Sequence, residues 1–235
     1  MNISPFSVDF SFFMGIALLL RILYGIVAEN NPYGGMKMKE YTISRCSGMP
    51  DWSSVPAVQI NELYCTEPSD ITAQAQVCYD DNALYVRLSA KEEDIRAELF
   101  GPLEEVCEDS CLEFFFAPMA GDRRYMNLEC NFNGTMYLGF GSGPSDLIRL
   151  VPEHPVIAPK PQKTEDGWEV VYTVPYSYIR QFFPEFAPCS GYTTRANFYK
   201  CADKTEPPHY LSWSPVVQQN WAFHNYDRFG TVHFE

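Results

Sequence analysis

Apolar and polar residues alternate with a period of two through most of the chain from Tyr41 onward. The alternation is clearest in YMNLECNF, Tyr125–Phe132, where apolar side chains separate asparagine and glutamate. The Asn133-Gly134 pair that follows is the commonest signal for a tight hairpin. Because successive side chains of a strand point to opposite faces, this pattern predicts half-buried strands rather than helices.

The same pattern predicts further strands along the chain, at Ala83–Ala90, Cys111–Phe116, Thr135–Gly141, Gly167–Pro175, Arg195–Lys200 and Phe229–Glu235. Helical periodicity is scarce, with one short turn expected within Pro175–Phe183. The proline-rich stretch Pro152–Pro161 is predicted to be a long loop or edge crossing. Many short strands separated by turn signals predict an all-β fold, namely an antiparallel β-sandwich of two packed sheets.

The acidic composition limits the classes of partner. The formal net charge is −13, which repels phosphate backbones, so we expect no nucleic-acid partner. With 46% hydrophobic and 20% charged residues, the chain has the composition of an ordinary globular domain. No linker divides the part that follows residue 40.

The first 37 residues have a different character. The run FSFFMGIALLLRILYGIVA, Phe10–Ala28, is just long enough to cross a bilayer. It is interpreted as a signal peptide, as a membrane anchor, or as sequence preceding a true start at Met36 or Met38. In each case residues 1–37 lie outside the fold and the domain is 38–235. A start at either methionine favours a cytoplasmic location; the alternatives are secretion or membrane anchoring through residues 10–28.

Eight cysteines are scattered through the predicted strands and turns. Only Cys107 and Cys111 are close in sequence, and a CxxxC spacing is neither a zinc-finger nor a redox motif. We therefore predict reduced, partly buried thiols in preference to a disulfide framework.

The polar sides of three predicted strands share a hydrogen-bonding character. They carry Glu113 on one strand, Asn127, Glu129 and Asn131 on the next, and Arg195, Asn197 and Tyr199 on a third. Amides and carboxyl groups on a rigid sheet suit a neutral, polyhydroxylated ligand. The alternative is an ordinary solvated face.

Two of the four tryptophans, Trp213 and Trp221, lie in loop-like sequence near the C-terminus. An indole ring can stack on the C–H face of a sugar, so these rings are candidate platforms. The alternative is that they close one end of the sandwich. His209, between them and the preceding strand, is a further candidate contact.

Two other classes of function remain open. Glu113 and Glu129 could act as the paired carboxyl groups of a glycoside hydrolase if their strands are neighbours. A haem or redox protein would need axial ligands such as His209, His224 or Met126. No sequence signature of a hydrolase, metalloprotease or nucleotide-binding enzyme is present.

Seven segments, taken together and in order, resemble the family-nine-like carbohydrate-binding domains. They are DWSSVPAVQI, VCYDDNALYVRLSA, CEDSCLEFFFAP, NLECNFNGTMYLGFG, DGWEVVYTVPYSYI, RANFYKCADKTEPPHYLSWSPV and FHNYDRFGTVHFE. The resemblance covers residues 41–235. It implies a β-sandwich of the DOMON-like superfamily, a bacterial source, and non-catalytic binding of a mono- or oligosaccharide in carbohydrate catabolism.

The resemblance also implies roles for individual residues. Trp213 of LSWSP would supply a stacking ring, and Arg195 and Asn197 would contact sugar hydroxyls. Trp221 stands where free-standing relatives commonly have proline, so its role is open. Relatives carry structural calcium, so calcium is a candidate cofactor, and no ligand is carried over from the family. From the residues alone, Asp80, Asp81 and Asp94 could contribute oxygens to a calcium ion; the alternative for Tyr79–Ala83 is a plain turn between strands.

Overall fold

The computed structural model describes residues 37–67, 69–217 and 222–235. The apolar leader, apart from Lys37, and Trp221 lie outside these residues. The described strands are β1 (Glu40–Arg45), β2 (Ala57–Ile60), β3 (Glu62–Leu63), β4 (Thr72–Tyr79), β5 (Ala83–Lys91), β6 (Cys111–Ala117), β7 (Tyr125–Asn131), β8 (Met136–Gly141), β9 (Ile148–Arg149), β10 (Lys160–Lys163), β11 (Gly167–Pro175), β12 (Thr193–Ala202), β13 (His209–Ser212) and β14 (Gly230–Phe234). The helical elements are α1 (Tyr176–Ile179) and single 3₁₀ turns at Val106–Glu108, Ala222–His224 and Tyr226–Arg228.

The predicted strands are present close to their predicted bounds, and the all-β class is confirmed. Strand β11 spans the predicted Gly167–Pro175, and α1 lies within the stretch expected to form a helical turn. The Asn-Gly hairpin is also confirmed: Gly134 N–H donates to Asn131 O at 3.0 Å and has φ of +77°. Glycine is favoured there because a Cβ disfavours the left-handed region.

The strands form one continuous hydrogen-bonded path in the order β10-β11-β5-β4-β1-β14-β12-β6-β7-β8-β9. Three short strands attach beside it: β2 pairs with β4, β13 with β12, and β3 with β13. We call β10, β11, β5, β4 and β2 the first arm, and β14, β12, β6, β7, β8, β9, β13 and β3 the second arm. Strand β1 joins the two arms.

The pairing of β1 differs from the sequence prediction. It runs parallel to β14, with Tyr41 opposite Val232, and parallel to β4, with Ser44 opposite Cys78. The other described pairs are antiparallel. The sheet is therefore mixed, not wholly antiparallel. Hairpin signals predict only antiparallel neighbours, whereas β1 meets strands distant in sequence, and a parallel pair needs such a long connection.

The path curls so that both arms contribute to the same hydrophobic core. Ile43 of β1 and Val77 and Leu84 of the first arm line a small void together with Phe114 and Phe198 of the second arm. Edge-to-face and stacked rings fill the centre; Phe114 and Phe198, for example, stack at 5.1 Å between centroids. The outward face of the second arm is thereby left for other contacts.

A buried ionic cluster stands at one margin of the core. Lys200 Nζ donates to Glu92 Oε1 at 3.1 Å and lies 2.8 Å from His209 Nε2. Trp168 Nε1 and Ser110 Oγ also donate to the Glu92 carboxylate, at 2.9 and 2.8 Å. Burial by itself would raise the pKa of Glu92, but the hydrogen bond with His209, the Lys200 charge and the hydrogen bonds from Trp168 and Ser110 lower it to about 2. The cluster therefore supplies hydrogen-bond partners to the ammonium group of Lys200, which surface water does not reach.

Within the described residues, no helix combines the length and apolarity needed to cross a membrane. The candidate anchor Phe10–Ala28 falls outside those residues.

Glu92 should make the protein sensitive to acid. Its pKa is lower when folded than the ordinary 4.5, so its stabilisation is complete above that pH and is lost as pH falls toward about 2. The pKa shift corresponds to about 3 kcal/mol. We expect Glu92→Gln to lower the free energy of unfolding at neutral pH by about 3–5 kcal/mol, because Lys200 loses its counter-charge. Urea unfolding between neutral pH and pH of about 3 measures both effects.

The neighbouring exposed Glu93 provides the control. Glu93→Gln should leave the pH dependence of unfolding unchanged. If the free energy of unfolding falls by the same amount in the wild type and in Glu92→Gln on acidification, the role assigned to Glu92 is contradicted.

Candidate functional site

Two carboxyl groups face each other on the outward side of the second arm. Glu113 on β6 is directly opposite Glu129 on β7, and its partner on the other edge is Tyr199 of β12. Glu129 in turn is opposite Tyr137 of β8. Only 2% of Glu113 and 6% of Glu129 are exposed. The predicted condition that their strands be neighbours is met, but the face is buried instead of solvated.

Burial sets the protonation of this pair. It raises the pKa of Glu113 well above its ordinary value, and the facing Glu129 adds to the shift. Burial likewise raises the pKa of Glu129 to about 7, against the hydrogen bond from Asn127. Because two adjacent buried carboxylates repel one another, the pair retains at least one proton near neutral pH. It can then donate as well as accept a hydrogen bond.

Asn127 orients one member of the pair. Its Nδ2 donates to Glu129 Oε1 at 2.6 Å, and its Oδ1 is buried without a hydrogen-bond partner in the described structure. The residue opposite is Gly139 of β8. A Cβ at that position would stand 1.8 Å from Asn127 Oδ1. The glycine therefore makes room for the asparagine that fixes Glu129.

Half-buried aromatic rings flank the pair on both sides. On the β8 side, the guanidinium carbon of Arg149 lies 3.9 Å from the ring centroid of Tyr137. On the β12 side, Tyr210 and Phe223 meet edge to face, with centroids 6.4 Å apart. We call this group the carboxyl site; its members are Glu113, Asn127, Glu129, Tyr137, Arg149, Tyr199, Tyr210 and Phe223.

The segment Ala222–Arg228 covers the part of this face next to the carboxyl site. Phe223 stacks on Tyr199 with centroids 4.0 Å apart, and Tyr199 Oη donates to Phe223 O at 2.9 Å. His224 Nδ1 lies 2.9 Å from Tyr125 Oη, and burial lowers the pKa of this imidazole to about 4. His224 is therefore neutral at physiological pH. The segment supplies an aromatic wall that the sequence pattern did not reveal.

Trp213 lies in the hydrophobic core. It is 2% exposed and packs edge to face on Tyr41 and against Phe198, at 6.2 and 5.5 Å between centroids. A Cβ on Gly230 would come within 2.4 Å of its ring. These neighbours leave the indole no open face for a sugar, which disagrees with the predicted platform role. The other candidate ring, Trp221, falls outside the described residues.

The predicted amides serve mainly internal hydrogen bonds. Asn197 Oδ1 accepts from Ser214 N–H at 2.9 Å, and its Nδ2 donates to Ser214 O at 3.0 Å. Asn131 is fully buried; it donates to Leu99 O and Asp109 Oδ2 and accepts from the hairpin. Both asparagines therefore hold loops in place instead of presenting groups to a ligand.

Arg195 and His209 are also placed away from the carboxyl pair. Arg195 donates to Phe229 O and lies over the ring of Tyr226, 4.8 Å from its centroid. His209 is opposite Ala202, so it shares the core face with Lys200. From the predicted polar strand faces, the structure thus brings together Glu113, Asn127, Glu129 and Tyr199. It adds Tyr137, Arg149, Tyr210 and Phe223, which have no distinctive sequence motif.

The proposed haem ligands do not converge. His209 faces the core side of the second arm, His224 covers the outward side, and Met126 is 1% exposed within the core. These residues therefore do not form a pair of axial ligands.

The three aspartates considered for calcium do not share a site. Asp80 accepts from Asn82 and Ala83 N–H in the turn before β5, and Asp81 pairs with Arg45. Asp94 follows the opposite end of β5, about 30 Å along an extended strand of nine residues. Calcium thus remains a prediction without assigned ligands.

Gly139→Ala tests the packing around the carboxyl pair. The added methyl group must displace the Asn127 side chain and break its hydrogen bond to Glu129, so we expect the free energy of unfolding to fall by about 1–3 kcal/mol. Gly143→Ala is the matched control, because its Cβ would meet only His224 O, at 4.0 Å. Urea unfolding measures both variants, and equal effects would contradict the assigned packing.

Comparison with known proteins identifies the family. The model of the family described as Carbohydrate-binding family 9 matches residues 51–234 of this chain. A Bacteroides uniformis ATCC 8492 protein, for which carbohydrate binding has been suggested, shares 26% identity and a TM-score of 0.72 over 85% of this chain and 100% of that one. No curated protein matched.

Two structures of a family 9 carbohydrate binding module from Caldicellulosiruptor kristjanssonii share the fold. The cellotriose complex has 14% identity and a TM-score of 0.60, covering 84% of this chain and 94% of that one. The glucose complex has 15% identity and a TM-score of 0.61, covering 84% and 96%. With a family match over most of the described strands and these shared folds, the chain belongs to Carbohydrate-binding family 9.

Proposed function

We propose that this chain is a non-catalytic carbohydrate-binding module and that the carboxyl site holds the sugar. The observation that carries the proposal is the facing Glu113–Glu129 pair between half-buried aromatic rings. The family is non-catalytic, which favours binding over hydrolysis for these two carboxyl groups. In this proposal the fold acts as a sandwich-like support, with the ligand on the outward side of the second arm.

The chemistry of the carboxyl site suits a neutral sugar. Sugar hydroxyls donate and accept, and a carboxyl pair that shares a proton can do the same. Aromatic rings pack on the C–H faces of a pyranose, and Tyr137 and Phe223 stand on opposite sides of the pair. The guanidinium of Arg149 adds donors beside Tyr137. Because each such contact replaces a contact with water, the affinity at a single site should be weak.

The aromatic role in this proposal passes from the tryptophans to the rings of the carboxyl site. Glu113 and Glu129 keep the hydrogen-bonding roles expected from the sequence, whereas the buried Tyr199 supports Phe223. A part in carbohydrate catabolism and a cytoplasmic location after a start at Met36 or Met38 belong to the same proposal.

Glucose and cellotriose are the first probes, because the two Caldicellulosiruptor kristjanssonii structures contain them. Isothermal titration of the full chain should give saturable binding. We expect Tyr137→Ala to raise the Kd about 10-fold and Glu129→Gln about 3–10-fold, in line with the loss of a stacking contact and of one hydrogen bond. Recovery of intact cellotriose after incubation would agree with binding without hydrolysis.

The matched control is Tyr85→Ala, which removes a partly exposed tyrosine from the first arm. Its Kd should equal that of the wild type. If Tyr137→Ala and Tyr85→Ala bind sugar equally well, the carboxyl site is not the sugar site.

Trp213→Phe separates the two assignments of the aromatic platform. Removing part of a buried ring should lower the free energy of unfolding by about 1–3 kcal/mol, yet the Kd of the folded variant should stay within about twofold of the wild type. A large rise in Kd with little loss of stability would restore Trp213 as the platform.

A further inference from the structure

Three potential metal ligands, one of them the carboxyl-site residue Glu113, meet on the outward face of β6 and β12. Cys111 on β6 is directly opposite Cys201 on β12, and Glu113 lies two residues further along the same face of β6. The two Sγ atoms and a Glu113 carboxyl oxygen all lie within 4.8 Å of one another. Cys201 Sγ is 2.7 Å from Glu113 Oε1. Among the described residues this is the one cluster of three such groups.

The cluster is buried and held by two strands. Cys111 is fully buried, and Glu113 and Cys201 are each 2% exposed. Val106 and the partly buried Cys107, Tyr137, Tyr210 and Phe223 pack around the two thiols. Because adjacent strands in fixed register position the three side chains, little ordering would be needed to bind an ion.

We propose that Cys111, Glu113 and Cys201 form a binding site for a thiophilic divalent cation, with Zn²⁺ as the expected ion. Two thiolates and a carboxylate are ligands that zinc takes in tetrahedral sites, and a water molecule would fill the fourth position. Ligand sulfurs around zinc stand about 3.8 Å apart, so shifts of about 1 Å would close the present cluster around the ion. Calcium is disfavoured, because it prefers oxygen ligands.

Binding would exchange protons for the cation. The sulfurs coordinate as thiolates and the carboxyl group as a carboxylate, so each ligand must lose its proton. In the metal-free protein burial raises the pKa of Cys111 and Cys201 and of Glu113, which keeps these groups protonated. The reaction therefore takes up one Zn²⁺ and releases about three protons, with no change in oxidation state.

This site does not depend on the proposed function. An ion there would link β6 to β12 on the face that carries the carboxyl pair, whether or not a sugar binds above it. Glu113 belongs to both the carboxyl site and the metal site, so the two kinds of binding are separated by other residues. Cys111 and Cys201 lie outside the carboxyl site and report on the metal, and Tyr137 is not a metal ligand and reports on the sugar.

The test uses Co²⁺ as a spectroscopic probe of the full chain. The exposed Cys65 and Cys189 are first replaced by serine, which removes accessible thiols that could bind metal. Metal-free protein, kept reduced by a phosphine, is titrated with Co²⁺. We expect binding to saturate at one equivalent of Co²⁺. The bound ion should show thiolate-to-cobalt charge-transfer bands and the intense visible absorption of tetrahedral cobalt. Both absorptions should disappear when Zn²⁺ is added and displaces Co²⁺.

Three variants locate the ligands. Cys111→Ala and Cys201→Ala should each weaken Co²⁺ binding more than about 100-fold, because losing a ligand exceeds the effect of losing a residue that only orients one. Cys130→Ala is the matched control, since Cys130 is a fully buried thiol on β7 that faces the core. It should bind Co²⁺ like the parent protein.

Glu113→Gln guards against loss of the fold in the cysteine variants. It keeps the shape of the side chain and both thiols, so the charge-transfer bands should persist with weaker binding and about one proton fewer released, as measured by calorimetry in two buffers of different ionisation enthalpy. Circular dichroism confirms that each variant is folded. The proposal is overturned if folded parent protein shows no saturable Co²⁺ binding, or if Cys111→Ala and Cys201→Ala bind as well as Cys130→Ala.

Discussion

The pairing of β6 with β7 along one edge and with β12 along the other places the two carboxyl groups and the two thiols of the outward face. One register sets Glu113 against Glu129, and the other sets Cys111 against Cys201 and Glu113 against Tyr199. A shift of one residue in either pairing would turn these side chains into the hydrophobic core. The apolar residues of the opposite face prevent that shift, since Leu112, Phe114 and Phe116 fill the core between the arms. The packing of the core therefore fixes the strand register, and the register determines which side chains face each other on the outward face.

Burial of polar groups is costly unless they find partners, and the second arm holds two buried polar clusters that differ in their arrangement. On the core side, Glu92 and a backbone carbonyl accept hydrogen bonds from Lys200. On the outward side, burial keeps a proton on the carboxyl pair, and no ion pair among the described residues includes it. The first arrangement stabilises the fold at neutral pH. The second leaves carboxyl groups able to donate or accept hydrogen bonds between the flanking rings.

The sequence pattern predicted the strands well because alternation depends on local chemistry. Residues 167–175 and the Asn-Gly hairpin were placed correctly, and Glu113 and Glu129 were recognised as potential partners. Trp213 was assigned to a ligand platform because it follows a loop-like stretch. A period-two reading contained the contrary signal, since Leu211 and Trp213 continue one face of β13 into the core. Tyr137, Arg149 and Phe223 could not be found in this way, because their positions depend on pairings and on a covering segment distant in sequence.

An acidic, all-β chain with alternating strands follows from the amino-acid sequence alone, and the ordered segments of that sequence carry the resemblance to family-nine-like carbohydrate-binding domains. These properties are encoded in neighbouring residues, which fix strand faces and turns wherever the chain folds. Only the tertiary structure decided that β1 runs parallel between β4 and β14, that Trp213 packs in the core, and that two carboxyl groups and two thiols meet on one buried face. Those outcomes follow from strand order and register, which arise when segments separated by many residues bury their apolar sides together.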